Sequence, residues 1–484
     1  MRKEVDPMKI LFVASECAPF AKSGGLGDVL WSLPRALKDE DTEVAVMLPK
    51  YTQIPSKFRN QMEHVVNFTV DVSYRRQYCG VDKLEIDGIT YYFIDSMYYF
   101  DRESLYGYVD DGERFSFFSQ AVIEAMEKID FIPDVLHVND WQAAIIPLLL
   151  KVKYSWIDSY QDIRTMLTIH NLKFQGIFPR EALGDLLSIG DSVMTDDGVE
   201  FYGAVNYMKG GINYADWVTT VSPTYAEEIK YPYYGEGLHG LMLRTQSKLS
   251  GILNGIDREI NDPATDPHIP AHYTDEDLSG KKICKAELQK ELGLPVSDAP
   301  IIGIISRLTD QKGFDILSWG LEQLLQNDVQ FVVVGTGELQ YEEMFRYFAW
   351  KYPDKISSQI RFDAGLAQRV YAGSDMMLVP SRFEPCGLTQ LVAMRYGTVP
   401  VVRETGGLKD TVTPYNPVTG KGLGFTFQTY DGLDLKGAVD RALEVYHDPT
   451  AWQALVERDM AADFSWDQSA DKYRAIYENI TGME

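Results

Sequence analysis

The feature that most constrains the fold of this chain is a strand, a glycine-rich loop and a helix start that follow one another near the N-terminus. The apolar run 10–14 precedes Lys22-Ser-Gly-Gly-Leu-Gly-Asp28-Val29, and a helical pattern over 29–37 follows it. Glycine lets a backbone approach an anion closely, and free N–H groups at a helix start favour negative charge. Lys22 adds a positive charge, whereas Asp28 suits sugar hydroxyls or a helix cap. The loop therefore predicts a site for a ligand that is both phosphorylated and sugar-like.

Short β-branched runs alternate with longer amphipathic stretches twice along the chain, a pattern typical of two doubly wound parallel α/β domains. The strand candidates of the first half are 10–14, 43–48, 90–94, 135–138, 165–169 and 217–221. Those of the second half are 301–305, 330–334, 359–362, 376–379 and 398–402. The Asp- and Pro-rich segment 261–300, with one helical patch near 281–292, is interpreted as the crossing between the two domains.

Composition restricts the class of partner. The net charge of −25 over 484 residues, without a local Lys/Arg cluster, argues against nucleic acid and anionic membranes. No apolar run approaches the roughly 20 residues of a membrane helix. The cysteines are scattered and suggest neither a disulfide framework nor a zinc site; they are Cys17, Cys79, Cys284 and Cys386. The sequence predicts a cytoplasmic protein with no nucleic-acid or membrane partner.

Two cations follow the first strand candidate of the second half. The sequence Ser306-Arg307-Leu-Thr-Asp-Gln-Lys312-Gly313 comes directly after the run 301–305. An arginine fork and a lysine point charge on one loop can hold a diphosphate. The same spacing is compatible with two solvated surface cations, so the spacing by itself leaves both interpretations open.

A turn with a carboxylate follows the run 376–379. The sequence Pro380-Ser-Arg-Phe-Glu384-Pro-Cys-Gly387-Leu-Thr389 combines a turn with a helix start whose N–H groups suit a phosphate. Glu384 is predicted to accept hydrogen bonds from sugar hydroxyls. The alternative, a surface carboxylate that only stabilises the helix start, is less favoured because of the turn around it.

Polar side chains end two strand candidates of the first half. They lie in His137-Val-Asn-Asp140-Trp141 and in Thr168-Ile-His170-Asn171. A lone histidine is more often structural than catalytic, but polar groups at two strand ends favour a site. Ligands of doubly wound sheets bind at the carboxyl ends of the strands, so we expect His170 and Asp140 to face the same cleft as the glycine loop.

The glycine loop has an echo in the second half. Ser23-Gly-Gly-Leu-Gly-Asp28 is similar to Thr405-Gly-Gly-Leu-Lys-Asp410, and each follows a strand candidate and opens a helical pattern. The echo indicates that both halves present a glycine-rich helix start to a shared cleft. Asp-x-Asp triples at 39–41 and 275–277 lie in acidic, loop-like stretches and are interpreted as solvated charge, so no essential metal is predicted.

Together these motifs resemble the bacterial glycogen synthase and plant starch synthase family, glycosyltransferase family 5. The resemblance covers nearly the whole chain, and the order of the motifs makes it highly specific. The motifs that carry it are Lys22-Ser-Gly-Gly-Leu-Gly-Asp-Val, His137-Val-Asn-Asp-Trp141, Thr168-Ile-His-Asn171, Ser222-Pro-Thr-Tyr225, Gly251-Ile-Leu-Asn-Gly-Ile-Asp257, Ser306-Arg-Leu-Thr-Asp-Gln-Lys-Gly313, Ser381-Arg-Phe-Glu-Pro-Cys-Gly-Leu388 and Thr405-Gly-Gly-Leu-Lys-Asp410.

The resemblance implies the glycosyltransferase-B fold, in which two Rossmann-like domains face a deep cleft. It implies an acceptor-side domain at 1–255, a nucleotide-sugar domain at 256–464 and a helix at 465–484 that crosses back to the first domain. It further implies transfer of glucose from ADP-glucose to the non-reducing end of an α-1,4-glucan, glycogen or a malto-oligosaccharide. The transfer retains the anomeric configuration and uses no metal or other cofactor.

The resemblance also assigns roles to individual residues of this sequence. The expected catalytic residues are His170, Arg307, Lys312, Glu384 and Asp28. The expected donor-binding residues are Lys22, Gly24, Gly25, Asn254, Phe362, Cys386, Gly387, Leu388 and Thr389, with Phe362 at the position of an aromatic ring against adenine. The expected acceptor or sugar contacts are Asp140, Trp141 and Asn171.

The sequence departs from the family pattern at a few positions. His239 stands where Asp or a similar residue is usual, Arg244 is shifted, and Ala364 replaces an acid. Val392 occupies the position of a second acid in many related transferases, which fits the synthase branch. Two alternatives remain open: a retaining transferase of the same fold that uses UDP-glucose, and a non-catalytic glucan-binding protein.

Overall fold

The computed structural model describes residues 7–483. The chain divides into two compact units, one formed by Met1–Leu253 and Trp466–Glu484, the other by Asn254–Ser465. Each unit has its own apolar core around a mainly parallel sheet. The predicted class, two doubly wound α/β domains, is confirmed.

The first unit is built on a nine-stranded sheet in the order β12-β11-β7-β6-β1-β2-β5-β4-β3 and on a small antiparallel sheet in the order β8-β10-β9. The strands are β1 (Met8–Val13), β2 (Thr42–Pro49), β3 (Glu63–Val72), β4 (Arg75–Ile86), β5 (Ile89–Asp95), β6 (Val135–Asn139), β7 (Arg164–Ile169), β8 (Ile177–Phe178), β9 (Glu200–Phe201), β10 (Ala204–Asn206), β11 (Trp217–Thr220) and β12 (Leu249–Gly251). The large sheet is parallel except where β4 pairs with β3 and β5.

Helices cover the sheet of the first unit. They are α1 (Gly25–Leu37), α2 (Ser56–Arg59), α3 (Met97–Phe100), α4 (Asp111–Lys128), α5 (Trp141–Ala144), α6 (Ile146–Val152), α7 (Tyr207–Tyr214), α8 (Pro223–Glu228) and α9 (His239–Arg244). In α1, Leu30, Leu33 and Leu37 recur at helical spacing and are at most 1% exposed, so this face packs on the sheet. Single turns of 3₁₀ helix at Asp158–Tyr160, Asp191–Val193 and Gln246–Lys248, and a π turn at Leu183–Leu187, lie between the longer elements.

The second unit has a six-stranded parallel sheet in the order β15-β14-β13-β16-β17-β18. Its strands are β13 (Ile301–Ile305), β14 (Gln330–Val334), β15 (Ile356–Gln359), β16 (Met376–Val379), β17 (Val399–Arg403) and β18 (Phe425–Phe427). Its helices are α10 (Ser279–Glu291), α11 (Phe314–Leu324), α12 (Leu339–Lys351), α13 (Ala364–Gly373), α14 (Thr389–Arg395), α15 (Gly406–Thr411), α16 (Gly432–Tyr446) and α17 (Pro449–Ala461), with a 3₁₀ turn at Asp310–Lys312.

The last helix, α18 (Asp467–Thr481), belongs to the first unit. Tyr473 and Tyr477 on this helix are fully buried, and Arg474 forms an ion pair of 2.6 Å with Asp39 at the end of α1. The chain therefore returns to its first unit after completing the second.

Two sequence interpretations are corrected, and one pair of strands was missed. The strand predicted at 359–362 is β15, Ile356–Gln359, because its buried residues are Ile356 and Ser357 and the chain turns away after Gln359. The segment 261–300 is no crossing, since α10 packs inside the second unit, where the Lys281 amine donates to the Tyr396 carbonyl and the Thr398 hydroxyl at 2.8 Å. The antiparallel pair β3–β4 was missed because alternate residues of β3 are polar and exposed.

The glycine-rich echo has the predicted context in both units. Gly25 begins α1 after β1, and Gly406 begins α15 after β17. Among residues 7–483, no helix combines the length and the apolar character that a membrane crossing needs.

Candidate active site

The first half-site lies at the carboxyl ends of the neighbouring parallel strands β6 and β7. Asp140 follows β6 directly, and His170 follows β7. The Oδ1 atom of Asp140 accepts a hydrogen bond of 2.8 Å from the His170 backbone N–H. The predicted pair is therefore in direct contact, through backbone and carboxylate rather than through the imidazole.

The imidazole of His170 is oriented by Asn139, the last residue of β6. The Asn139 amide group donates to the carbonyls of Val13 and His137, which turns its Oδ1 towards His170 Nε2 at 2.9 Å. Nε2 then carries the proton, and Nδ1 presents a lone pair. Burial lowers the pKa of His170 to about 3, so the ring is neutral near pH 7. It can form hydrogen bonds but carries no positive charge.

Asp140 adopts an unusual backbone conformation, with φ at 56°. Non-glycine residues at positive φ are uncommon and concentrate at functional sites. Burial raises the pKa of Asp140 to about 7, against the lowering effect of the His170 and Asn171 backbone N–H donors. The carboxyl group is therefore poised between its neutral and charged forms near pH 7.

His137, the other histidine of these motifs, is structural. Its ring is fully buried, with Nδ1 2.7 Å from the Tyr477 hydroxyl and Nε2 2.6 Å from Thr168 Oγ1. Burial lowers its pKa to about 3. His137 thus links β6 to β7 and to the returning helix α18.

The glycine loop is held by a carboxylate that sequence analysis did not single out. Glu16 is 4% exposed, and its Oε2 accepts hydrogen bonds from the backbone N–H groups of Ser23 at 2.6 Å and Gly24 at 3.2 Å. Its Oε1 accepts from the Ser23 hydroxyl at 2.6 Å and the Tyr106 hydroxyl at 2.7 Å. The Gly24 N–H, predicted to bind phosphate, is therefore engaged within the protein. The position of Glu16, two residues after the strand candidate 10–14, was the sequence signal that could have identified this residue.

Lys22 and Asp28, which were predicted on either side of the same ligand, are paired with each other. Their Nζ and Oδ1 atoms are 2.7 Å apart, and both side chains are about two-fifths exposed, at 45% and 40%. The loop thus presents a cation whose counter-ion is a neighbouring, solvent-accessible carboxylate.

Trp141 and Asn171 flank this half-site. The indole of Trp141 packs against Phe115 and Phe178, with ring centroids 5.2 and 5.8 Å apart, so it also supports the unit's core. The Asn171 side chain accepts a hydrogen bond of 3.1 Å from the Lys173 N–H, which shapes the turn after His170.

The second half-site is centred on an ion pair between Lys312 and Glu384, whose Nζ and Oε2 atoms are 2.6 Å apart. Lys312 ends the 3₁₀ turn after β13, and Glu384 lies in the loop after the adjacent strand β16. The Ser381 hydroxyl also donates to Glu384 Oε2, at 2.8 Å. The side chains are 18% and 9% exposed, so this pair is much less solvated than the one formed by Lys22 and Asp28.

Gly313 allows the loop after β13 to contact the loop after β16. Its φ is +79°, and a Cβ there would lie 1.9 Å from the Pro380 carbonyl oxygen. Only glycine permits this approach of the two backbones. It brings the loop after β13 against the loop after β16, which places the Lys312 amine on the Glu384 carboxylate.

The start of α14 presents free donors. Gly387 has φ +73°, and α14 begins at Thr389. Within residues 7–483, the backbone N–H groups of Gly387, Leu388 and Thr389 donate no hydrogen bond. Arg307 on the loop after β13 is exposed and has no ion pair among the described residues. Free N–H groups at a helix start and an unpaired guanidinium are the kinds of donor that bind an anion.

Asn254 and Cys386, both predicted donor residues, are in contact. The backbone N–H of Asn254 bonds to the Cys386 sulfur, and burial raises the pKa of that thiol to about 12. The Oδ1 atom of Asn254 is buried and has no hydrogen-bond partner among the described residues. A buried, unpartnered amide oxygen can receive a ligand hydroxyl.

Phe362, the residue predicted to contact adenine, lies on the surface of the second unit. It lies between β15 and α13 and is 87% exposed. Its ring is therefore accessible for stacking and contributes nothing to the core. Among the residues that the structure describes, no three His, Cys, Asp or Glu side chains are grouped as metal ligands.

Family models match both units of the chain. The model described as starch synthase catalytic domain matches residues 9–244, and the model described as glycosyl transferases group 1 matches residues 285–454. The chain is 53% identical to a glycogen synthase of Ligilactobacillus salivarius over 98% of this chain and 100% of the relative. It is 52% identical to a glycogen synthase of Clostridium novyi over 98% and 99%.

Solved structures show the same similarity. The catalytic domain of starch synthase IV from Arabidopsis thaliana, bound to ADP and acarbose, has a TM-score of 0.93 and 34% identity over 99% of this chain and 100% of that chain. The sucrose-phosphate synthase of Thermosynechococcus elongatus has a TM-score of 0.63 and 17% identity over 99% of this chain and 100% of that chain. This similarity concerns the fold alone. The fold is the glycosyltransferase-B fold.

Proposed function

This chain belongs to the glycogen synthase and starch synthase family of glycosyltransferases, and on that basis we propose how its residues hold a nucleotide sugar and transfer its glucose. The donor is ADP-glucose, and the acceptor is the non-reducing end of an α-1,4-glucan, glycogen or a malto-oligosaccharide. The ADP bound by the starch synthase IV of Arabidopsis supports the choice of nucleotide. The four cysteines, all free and buried, support a cytoplasmic location.

The donor diphosphate binds in the second unit. The guanidinium of Arg307, the amine of Lys312 and the free N–H groups at Gly387–Thr389 supply positive charge and hydrogen-bond donors there. These groups stabilise the charge that develops on the departing ADP. The main support for the proposal is the contact between one of these cations, Lys312, and the buried carboxylate of Glu384.

Glu384 holds hydroxyl groups of the donor glucose. Its Oε2 is occupied by Lys312 and Ser381, whereas no hydrogen bond to its Oε1 is present among the described residues. A carboxylate fixed at one oxygen presents the other in a defined direction. The exposed ring of Phe362 stacks on the adenine, and Asn254 Oδ1 receives a ligand hydroxyl.

The polar groups of the first unit are the ones that we propose contact sugar. The neutral imidazole of His170 lies against the donor glucose, with Nδ1 able to accept a hydrogen bond from a sugar hydroxyl. Asp140 and Asn171 orient sugar hydroxyls, and Trp141 borders them. Lys22 turns from Asp28 to a phosphate, and Asp28 then accepts a sugar hydroxyl.

Transfer retains configuration by attack on the same face. The bond between C1 and the phosphate oxygen breaks, the bond between C1 and the acceptor O4 forms, and the leaving phosphate takes the O4 proton. A neutral His170 supplies no proton of its own, and the reaction needs no carboxylate nucleophile or metal. A trapped glucosyl adduct on Asp28, Asp140 or Glu384 would contradict this route.

The test is release of ADP when the purified chain is mixed with ADP-glucose and glycogen in the presence of EDTA, with UDP-glucose in parallel. We expect ADP release that EDTA does not change and that Lys312→Ala lowers about 100- to 1,000-fold. Activity with UDP-glucose alone would assign the chain to a transferase with another donor. Glycogen binding without turnover of either donor would identify a non-catalytic glucan-binding protein.

A further inference from the structure

Tyr202, in the first unit, has a backbone conformation that is unusual for an aromatic residue. Tyr202 and Gly203 form the two-residue loop between β9 and β10, and their φ angles are 50° and 86°. Two positive φ angles are the pattern of a type I′ turn, which favours Asn-Gly or Asp-Gly. A bulky side chain at the first position is an outlier.

Packing does not explain this choice. The Tyr202 side chain is 86% exposed, and its only ring contact among the described residues is the edge of Phe201, with centroids 4.8 Å apart and planes at 75°. The phenol ring is thus largely exposed to solvent. Residues that break a local rule without a structural gain mark functional sites.

The hairpin that carries Tyr202 is joined to the segment that follows His170. The Asn206 side chain on β10 donates to Gln175 Oε1 at 2.6 Å, and the Gln175 amide donates to the Glu236 carbonyl at 2.9 Å. The next residue, Gly237, lies under the hairpin, since a Cβ there would be 2.9 Å from the Phe201 ring and 3.8 Å from the Tyr202 ring. The hairpin that carries Tyr202 is therefore held against the segment 171–175, which directly follows His170.

A second exposed ring lies in this segment itself, four residues after His170. Phe174 is 49% exposed and is held by a turn in which its N–H donates to the Asn171 carbonyl at 3.2 Å. Phe174 follows His170 by four residues, and the hairpin with Tyr202 is joined to the same segment through Gln175. Two exposed aromatic rings tied to the segment after His170 match a polymeric sugar, because pyranose rings carry apolar faces that stack on aromatic rings.

We propose that Phe174 and Tyr202 bind the acceptor α-glucan by stacking, and that Tyr202 contacts glucose units distant from the one that reacts. This inference rests on the proposed function, which assigns the His170 half-site to glucose transfer. It adds a determinant of acceptor length, since only longer chains reach Tyr202.

The test uses Tyr202→Asn in the full chain, because asparagine suits the positive φ of this turn and removes only the ring. We expect the KM for maltoheptaose to rise roughly tenfold, the magnitude of one lost aromatic contact. The KM for ADP-glucose and the kcat with maltose should not change, and the Tm should be equal or higher.

Tyr202→Trp should retain the wild-type KM for maltoheptaose. Tyr74→Asn is the matched control, since Tyr74 is 84% exposed in the turn between β3 and β4.

Binding of maltoheptaose measured by calorimetry without ADP-glucose separates the two proposals. If the wild type binds maltoheptaose but transfers no glucose, the proposed function fails, and the effect of Tyr202→Asn on binding still decides the inference. An unchanged affinity and KM in Tyr202→Asn, or an equal loss in Tyr74→Asn, would overturn it.

Discussion

The Nζ atom of Lys312 lies 2.6 Å from the Oε2 atom of Glu384, although 72 residues separate them in the chain. The cation proposed for the donor phosphates and the carboxylate proposed for the donor glucose are thus neutralised by each other. The Lys22–Asp28 pair repeats this arrangement in the first unit. Under the proposed function, ligand binding would exchange an internal counter-ion for the substrate in each unit.

Replacing Lys312 by alanine should lower kcat for ADP release by about 100- to 1,000-fold, because one preorganised charge at the departing phosphate is lost. It should also destabilise the second unit by about 1–3 kcal/mol, since Glu384 is left buried without its cation. Steady-state kinetics and urea unfolding measure the two effects. Lys290→Ala removes the exposed Lys290–Glu287 pair and serves as the control, and an equal loss there would contradict the assignment.

Glu16→Gln should loosen the glycine loop. An amide group cannot accept all four hydrogen bonds that the carboxylate accepts from Ser23, Gly24 and Tyr106. We expect kcat/KM for ADP-glucose to fall about tenfold, the equivalent of one unsatisfied buried donor. Glu40→Gln, on the exposed turn after α1, is the comparison and should leave kcat/KM unchanged.

Acid should destabilise the first unit through its buried histidines. Burial lowers the pKa of His137 to about 3, whereas an unfolded histidine titrates near 6.5, so between these values the unfolded chain binds the extra proton. This contribution to stability is complete above about pH 6.5 and is lost as the pH falls towards 3. In urea unfolding, His137→Gln should reduce the pH slope by about 1.4 kcal/mol per pH unit. The slope is compared because the substitution also removes two hydrogen bonds; an unchanged slope would refute the assignment.

Tyr477→Phe should lower the unfolding free energy of the first unit by about 1 kcal/mol, because the hydroxyl that bonds His137 Nδ1 at 2.7 Å is removed inside the core. Tyr51→Phe is a matched control, since the Tyr51 hydroxyl is buried and has no hydrogen bond among residues 7–483. Thermal unfolding followed by circular dichroism measures both. A larger loss for Tyr51→Phe would contradict the role given to Tyr477.

Much of the fold followed from local patterns. Largely apolar runs predicted β13, β14 and β16 with their exact bounds, because strands buried on both faces leave an apolar record in the sequence. The edge strand β15 was misplaced and the hairpin β3–β4 was missed, since half-exposed strands keep polar residues and lose that record. The segment 261–300 looked like a linker because its many Asp and Pro residues conceal the one helix face that packs.

The sequence by itself determined which chemical groups stand at the strand ends, since a glycine loop, a terminal histidine or a cation after a strand is local information. Only the tertiary structure decided which of these groups meet. It separated His170 from the core residue His137, joined Lys312 to Glu384 and placed Glu16 on the glycine loop. Such contacts depend on burial and on distances between residues far apart in the chain, and neither is written in a local pattern.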